Sequence, residues 1–205
     1  MSIAAHQPSA TRRFAVPPEP VLPLTVEQYH AMIRSGALQS GDPIELLEGW
    51  LVNKMIKNPP HSASTAKTRR RLNEVIPDGW SVDSQEPVTT VDSEPEPDVA
   101  VIRGLREEYV ARHPGPEDIG LLVEVADTSL ERDRGWKKRI YAAAGIQVYW
   151  IVNLVERQVE VFAGASGPGE RPDYRTRQVF FPGDEVPVVL DGQEVGRIVA
   201  SDLLP

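Results

Sequence analysis

Residues 119–153 read IGLLVEVADTSLERDRGWKKRIYAAAGIQVYWIVN and contain two apolar runs, residues 119–125 and 148–152. The segment between the two runs has the residue spacing of a helix. Short apolar runs joined by a helix predict a βαβ unit, in which parallel strands are buried on both faces of a sheet. The stretch therefore predicts an α/β fold that is built around this unit.

Glu124 is the one charged residue in the first apolar run. A carboxylate is costly to bury unless it meets a metal ion or a cation. Glu124 is therefore the first candidate functional residue, and a buried acid with a purely structural role is the alternative.

The helix between the runs has recognisable ends. Thr128 and Glu131 form a T-x-x-E capping box, with Ser129 as a competing N-cap, and Gly145 follows the last helical residue. These signals predict a helix that begins near Thr128 and ends before Gly145.

Asp133, Lys137 and Tyr141 recur every four residues, which places them on one face of the helix. One interpretation is an exposed ion pair worth about 0.3–0.5 kcal/mol. The other directs Lys137 back across the strand end toward Glu124, with Asp133 holding the ammonium group. Spacing alone favours the exposed pair, because such pairs are common on helix surfaces.

Composition limits the class of protein. A chain of 205 residues with 40% hydrophobic and 25% charged residues is typical of one globular domain. The absence of cysteine excludes disulfides, thiolate zinc sites and cysteine nucleophiles. No apolar stretch approaches the ~18–20 residues that span a bilayer, and residues 1–20 lack the apolar core of a secretory signal. We therefore expect a cytoplasmic protein without a membrane partner.

The net charge of −8 argues mildly against a protein that coats nucleic acid, because such proteins usually carry a basic surface. A catalytic cleft can nevertheless be locally basic on an acidic protein. Acidic clusters also suit divalent cations, which prefer hard oxygen ligands.

Residues 1–20 are rich in Ala, Pro and Ser and predict a disordered tail, whereas residues 21–205 predict a single domain. Further helices are predicted at residues 25–35 and 61–76. Strands are predicted at residues 44–55 (a hairpin turning at Glu48-Gly49), 80–91 (two short strands), 98–102, 158–163, 174–181, 186–190 and 194–199.

Four basic residues lie close together in the second of these helices: Lys67, Arg69, Arg70 and Arg71. They are interpreted equally well as a solvated helix face and as contacts to a nucleic-acid backbone. His61, a lone histidine at the helix start, is more often structural or incidental than a metal ligand.

Asp98 follows Pro97 at the edge of the strand predicted at residues 98–102. It could accept backbone hydrogen bonds at the strand entry. Two acids on adjacent strands can instead hold Mg²⁺ or Mn²⁺, and a nearby lysine can orient or help deprotonate an attacking water. No Walker loop, serine-hydrolase elbow, zinc-protease motif or dinucleotide fingerprint competes with this interpretation.

Five segments in order carry a resemblance to a known family: IELLEGWLV (44–52), PPH (59–61), EPDVAVI (96–102), LLVEVADTS (121–129) and RDRGWKKRIYAAAGIQVYWIVN (132–153). They resemble the Uma-type restriction endonucleases, a family within the PD-(D/E)XK nuclease superfamily. The last two segments taken together are specific, whereas a Pro-Asp pair alone is not.

The resemblance implies a restriction-endonuclease-like α/β core, with a mixed central sheet flanked by helices. The N-terminal hairpin and the C-terminal strands then predict an additional antiparallel sheet. The resemblance also implies that Asp98 and Glu124 are metal carboxylates. Glu45 matches an upstream acidic position of the family, and the resemblance implies that it and the backbone carbonyl of Val125 are further metal ligands.

The lysine of the superfamily motif usually stands two residues after the second acid, where this chain has Ala126. The resemblance implies that the helix supplies this lysine from Lys137. Trp136 and Lys138 stand where the family more often has other residue types, so Lys138 is an alternative.

The expected function is that of a Mg²⁺- or Mn²⁺-dependent endonuclease that hydrolyses DNA, with Asp98, Glu124 and Lys137 as catalytic residues. A homodimer is expected, because a two-fold pair suits cleavage of a duplex. The alternative is a catalytically inactive nuclease fold that serves as a binding or regulatory module. The complete catalytic set argues against this alternative, and the net acidity argues weakly for it.

Overall fold

The computed structural model describes residues 21–39 and 41–205, and the tail predicted at residues 1–20 lies outside them. The strands are β1 (Ile44–Leu47), β2 (Trp50–Asn53), β3 (Trp80–Asp83), β4 (Val99–Arg103), β5 (Ile119–Ala126), β6 (Val148–Asn153), β7 (Gln158–Ala165), β8 (Tyr174–Phe180), β9 (Glu185–Leu190) and β10 (Gln193–Val199). The α-helices are α1 (Val26–Arg34), α2 (Pro59–Val75), α3 (Leu130–Arg132) and α4 (Lys138–Ala143). A π-helical turn at Asp133–Lys137 joins α3 to α4. No helix in the described part of the chain is long and apolar enough to cross a membrane.

The central sheet has the strand order β3-β4-β5-β6-β7-β8. Strands β5 and β6 pair in parallel and the other neighbours pair antiparallel. Every residue of β5 and β6 is buried, which explains why both segments are continuous apolar runs. The βαβ unit and the mixed α/β sheet predicted from the sequence are confirmed.

The two faces of β5 pack against different layers. Leu121, Val123 and Val125 face α2 and the β9–β10 pair, whereas Leu122 and Ala126 face α4. Burying each of the larger aliphatic side chains stabilises the fold by about 1.5–3 kcal/mol. Because side chains alternate along a strand, Glu124 faces α4, the helix that follows the π-helical turn.

The helix ends differ in part from the expected ones. The capping box of α1 is confirmed, with mutual hydrogen bonds between Thr25 and Gln28. The box predicted at Thr128 is wrong, whereas Ser129, the competing N-cap, stands at the N-cap position. Its hydroxyl donates a hydrogen bond of 2.6 Å to Asp133 and makes no side-chain capping bond to the helix.

Helix α2 begins at Pro59, two residues before the expected start. Asn58 is its N-cap, because the side-chain oxygen of Asn58 accepts a hydrogen bond of 3.0 Å from the His61 N–H. Proline is well suited to the first helical position, since it has no N–H to satisfy there.

The additional antiparallel structure is present but is divided. β1–β2 and β9–β10 form two separate two-stranded sheets, whereas β8 pairs with β7 and extends the central sheet. The second strand expected within residues 80–91 is absent from the described structure, in which β3 ends at Asp83. Pro87 follows closely and has no N–H with which to continue a ladder.

The β1–β2 hairpin turns at Glu48-Gly49, where both residues have positive φ, 47° and 79°. Such a turn favours glycine. We predict that Gly49→Ala destabilises the protein by about 1–3 kcal/mol more than Gly36→Ala, measured by chemical denaturation. Both glycines have positive φ, but a Cβ at Gly49 would clash with Pro23 and Leu24, whereas one at Gly36 meets open space. Equal losses in the two variants would contradict the packing explanation.

Candidate active site

A small cavity of about 50 Å³ lies where the β1–β2 hairpin, the start of α2, the end of β5 and the π-helical turn meet. Most of its lining residues are charged or polar, and they include the three residues proposed from the sequence as catalytic together with Glu45. The lining residues are Glu45, Lys54, Met55, Ile56, Lys57, Asn58, His61, Glu96, Asp98, Glu124, Asp127, Thr128, Ser129, Arg132, Asp133 and Lys137.

Asp98 and Glu124 lie side by side on the same face of the sheet. The antiparallel register pairs Val99 with Val123, so Asp98, one residue before β4, comes opposite Glu124. Opposite residues on neighbouring strands point to the same face. Only 6% of Asp98 and 3% of Glu124 is exposed, and both line the cavity.

Two neighbours hold the Asp98 carboxylate in place. Its Oδ2 accepts a hydrogen bond of 2.9 Å from the Val125 N–H and lies 3.1 Å from His61 Nε2. His61 occupies this position because Asn58 caps α2. The sequence interpretation did not place His61 in the site. An Asn before Pro-Pro, a typical N-cap and helix start, is the signal that would have located it.

The π-helical turn and α4 each reach Glu124 with one side chain. Glu124 Oε1 accepts hydrogen bonds from Lys137 Nζ at 2.9 Å and from the Tyr141 hydroxyl at 2.7 Å. Lys137 is 6% exposed, so the interpretation as an exposed surface pair is wrong. Tyr141 donates directly to the candidate site, whereas the sequence suggested only that it shares a helix face with Asp133 and Lys137.

Glu45 contacts the same ammonium group. Its Oε2 lies 3.3 Å from Lys137 Nζ, and its Oε1 lies 3.3 Å from Arg132 Nη1. The Glu96 N–H also donates to Glu45 Oε2 at 3.3 Å. Lys137 therefore stands between Glu45 and Glu124 and links the β1–β2 hairpin to the central sheet.

Asp133 does not hold Lys137 as expected. It accepts the hydrogen bond from Ser129, and no direct ion pair joins it to Lys137 among the described residues. The reason is that the π-helical turn departs from the regular helix that the four-residue spacing assumes. Lys138 turns away from the cavity, with its Nζ 2.8 Å from Asp173 and over the ring of Phe162.

Similarity to known proteins points to the same class of protein as the geometry of the site. The family model Uma2, described as "Putative restriction endonuclease", matches residues 26–197, which is most of the chain. The chain belongs to the Uma2 family. A comparison with curated proteins found no match.

A solved structure similar to this Uma2 chain is the crystal structure of a "putative nuclease belonging to DUF820" from Anabaena variabilis ATCC 29413. The two share 19% sequence identity, with a TM-score of 0.62 over 88% of this chain and 97% of the other. At this identity the likeness establishes the fold, and it agrees with the nuclease-type architecture predicted from the sequence.

Burial dominates the electrostatics of the site in this Uma2 chain. It raises the pKa of Glu124 to about 8, against the opposing effect of the Lys137 ammonium, and it raises the pKa of Asp133 to about 6. Burial alone would lower the pKa of Lys137, but the carboxylates of Glu124 and Glu45 outweigh it and raise that pKa. Lys137 is therefore an ammonium ion at neutral pH, surrounded by an excess of acidic groups.

Asp98 and Glu124 offer the donor set that a divalent cation prefers. Both provide hard carboxylate oxygens, and Asp98 Oδ1 and Glu124 Oε2 accept no hydrogen bond from the described residues. The raised pKa of Glu124 reflects a burial cost that a bound cation would offset.

The described residues, 21–39 and 41–205, contain no group of three His, Asp or Glu side chains arranged to hold a metal ion. A cation at Asp98 and Glu124 would take its remaining ligands from water or substrate, as Mg²⁺ commonly does. Glu45, whose oxygens already have donors, and the carbonyl of Val125 stay predictions as further ligands.

The basic residues of α2 fall into two groups. Lys67 donates a hydrogen bond of 2.6 Å to a backbone carbonyl after β10, and Arg71 pairs at 2.8 Å with a carboxylate in the same segment. Arg69 and Arg70 are exposed. The structure thus gives Lys67 and Arg71 contacts within the chain and leaves Arg69 and Arg70 facing solvent.

We predict that Lys137→Ala destabilises the metal-free protein, and more at pH 8.5 than at pH 5. Without the ammonium, the pKa of Glu124, about 8 in the folded protein against an ordinary 4.5, should rise further. A carboxyl group with a raised folded pKa contributes stability below its unfolded pKa and loses it as pH rises through the folded pKa. At pH 8.5 the loss should exceed that at pH 5 by about 1 kcal/mol, because Glu124 without the ammonium stays protonated about half a pH unit above its wild-type folded pKa.

Chemical denaturation in the presence of a chelator measures this loss at the two pH values. Lys138→Ala is the matched control, because Lys138 contacts neither Glu124 nor Glu45 and should show little dependence on pH. A Lys137→Ala loss of equal size at both pH values would contradict the role assigned to Glu124 ionisation.

Proposed function

We propose that this chain is a metal-dependent endonuclease that hydrolyses phosphodiester bonds of DNA. The observation that carries the proposal is the meeting of Asp98, Glu124 and Lys137 in one cavity, with Asp98, just before β4, opposite Glu124 on β5. Membership of the Uma2 family, described as "Putative restriction endonuclease", and the likeness to a "putative nuclease" support the same reaction class.

Asp98 and Glu124 would hold Mg²⁺ or Mn²⁺ through the oxygens that lack hydrogen bonds. When bound, such a cation supplies Lewis-acid polarisation of a phosphoryl oxygen. The protein contributes fixed carboxylate positions: the Val125 N–H and His61 orient Asp98, while Tyr141 orients Glu124. Carboxylates that are already oriented need no reorganisation when the cation and substrate arrive.

Lys137 would act as a fixed positive charge beside the reacting phosphate. Its raised pKa keeps the ammonium protonated, so it is suited to stabilise developing negative charge or to donate a proton. It is poorly suited to remove a proton from water, which was one role considered from the sequence.

We further propose that the substrate is duplex DNA and that the chain acts as a homodimer. A two-fold pair would present one cavity to each strand of the duplex. Sedimentation velocity would report the state of the free protein and of its complex with a short duplex.

We predict that wild-type protein cleaves plasmid DNA with Mg²⁺ or Mn²⁺ and not with a chelator. Lys137→Ala should lower the cleavage rate by ~10²-fold or more while keeping Mn²⁺ binding in calorimetry, because the ammonium stabilises charge in the transition state. Glu124→Gln should lose the binding of Mn²⁺ as well as cleavage. Circular dichroism at the assay temperature confirms that each variant is folded.

Lys138→Ala is the control for the loss of a lysine, and it should cleave at close to the wild-type rate. Equal losses in the two lysine variants, or no loss in Lys137→Ala, would show that the lysine or the chemistry is misassigned. A wild-type protein that neither binds Mn²⁺ nor cleaves DNA would instead be the inactive binding or regulatory module.

The exposed arginines of α2 give a separate prediction about substrate binding. If Arg69 and Arg70 contact phosphates, changing both to Glu should weaken DNA binding and reduce the slope of log affinity against log salt by about 2. The matched control changes Arg171 and Arg175, which are also exposed, to Glu. Equal salt slopes in the two double variants would assign Arg69 and Arg70 to a solvated face.

A further inference from the structure

A second buried carboxylate lies in register with Glu124. Glu124 on β5 pairs with Ile151 on β6, and Ile151 pairs with Glu160 on β7, so the three form one row across the sheet. Paired residues point to the same face, and two strand spacings separate the carboxylates by about 10 Å. Glu160 is fully buried, but it does not line the cavity. The proposed chemistry therefore leaves Glu160 unexplained.

Arg134 connects this carboxylate to the candidate site. It lies in the π-helical turn, three residues before Lys137. Its Nε lies 3.0 Å from Glu160 Oε1, and its Nη2 lies 2.5 Å from the same oxygen. Two side chains of the π-helical turn thus contact the two carboxylates: Lys137 binds Glu124 and Arg134 binds Glu160, on either side of Ile151.

We propose that Arg134 and Glu160 are positioning residues that fix where the Lys137 ammonium stands. Their effect on catalysis rests on the proposed nuclease function, whereas their effect on the position of Lys137 does not. A lysine has a flexible four-carbon stem, so its ammonium is placed only as well as the backbone that carries it. An arginine fork on a carboxylate is directional and fixes the orientation of that backbone.

The Glu160 carboxylate is held firmly because each of its two oxygens accepts several hydrogen bonds. Arg177 Nη2 donates to Oε2 at 2.9 Å, and Asn153 Nδ2 donates to Oε1 at 2.9 Å. Burial would raise the pKa of Glu160, but the hydrogen bonds from Arg134, Asn153 and Arg177 outweigh it and lower that pKa. Glu160 is therefore ionised and rigidly held.

A second interaction, a hydrogen bond from Tyr149, fixes the start of the π-helical turn. The buried hydroxyl of Tyr149 donates a hydrogen bond of 3.1 Å to the backbone carbonyl of Asp133, the first residue of the π-helical turn. Such turns often occur at functional sites and are less regular than an α-helix. With Tyr149 at the start of the turn and Arg134 next to it, the backbone leading to Lys137 has one orientation.

The chain offers a matched pair of variants, Arg134→Lys and Arg177→Lys. Each keeps a positive charge and removes one arginine fork from Glu160. Arg134 lies on the turn that carries Lys137 and also donates to Glu156, whereas Arg177 does neither. Arg134→Lys should lower kcat about 10- to 100-fold, the range that a shift of about 1 Å can produce, with KM and Mn²⁺ affinity unchanged. Arg177→Lys should keep a kcat near that of wild type, although both variants lower the Tm.

A double variant tests whether Arg134 acts through Lys137. In a Lys137→Ala background, Arg134→Lys should cause no further loss of kcat, because the group that it positions is gone. Additive losses would overturn the proposal and assign Arg134 an effect of its own.

The ¹⁵N resonance of the Lys137 ammonium group gives a readout that needs no activity. It should shift or broaden in Arg134→Lys and Glu160→Gln and stay unchanged in Arg177→Lys. An unchanged resonance in Arg134→Lys, or an equal shift in Arg177→Lys, would overturn the proposal. A shift confined to Arg134→Lys and Glu160→Gln, in a protein that cleaves no DNA, would uphold the positioning and reject the nuclease function.

Discussion

Glu124 lies in the middle of the central sheet, where a carboxylate without a partner would be unstable, and Lys137 supplies the cation that it needs. The ammonium reaches Glu124 at 2.9 Å and Glu45 at 3.3 Å, so one side chain joins the central sheet, the π-helical turn and the β1–β2 hairpin. Desolvation of these charges is costly, and the remaining hydrogen bonds from Tyr141 and Arg132 reduce that cost. The elements around the cavity are arranged so that these charges meet.

The sequence predicted those parts of the fold that depend on which residues are buried. β5 and β6 are apolar throughout because both of their faces are covered, and this pattern can be read without knowing their neighbours. The partner of β8 could not be read in the same way, because alternation indicates a half-buried strand but not which strand lies beside it. The assignment of β8 to the central sheet rests on long-range pairing with β7.

The residues of the candidate site can also be separated into those that the sequence could identify and those that it could not. Asp98 and Glu124 could be proposed because a carboxylate at a buried strand needs an explanation. The direction of Lys137 could not be derived from spacing, because that argument assumes a regular helix and the chain forms a π-helical turn at this point. Glu160 gave no signal as a site residue, since its relation to Glu124 arises only from the register of three strands.

The acidity of the chain and its proposed nucleic-acid substrate are compatible once the site is considered as a whole. Burial raises the pKa values of Glu124 and Asp133, and repulsion from the neighbouring carboxylates raises them further while no further cation is present. A cation bound there would relieve this repulsion, and its affinity would gain from the same burial that makes the metal-free site costly. Acidic side chains that repel one another do not hold the site rigid. At the other end of the row, the carboxylate of Glu160 binds Arg134 and Arg177 and so fixes the π-helical turn without adding charge to the cavity.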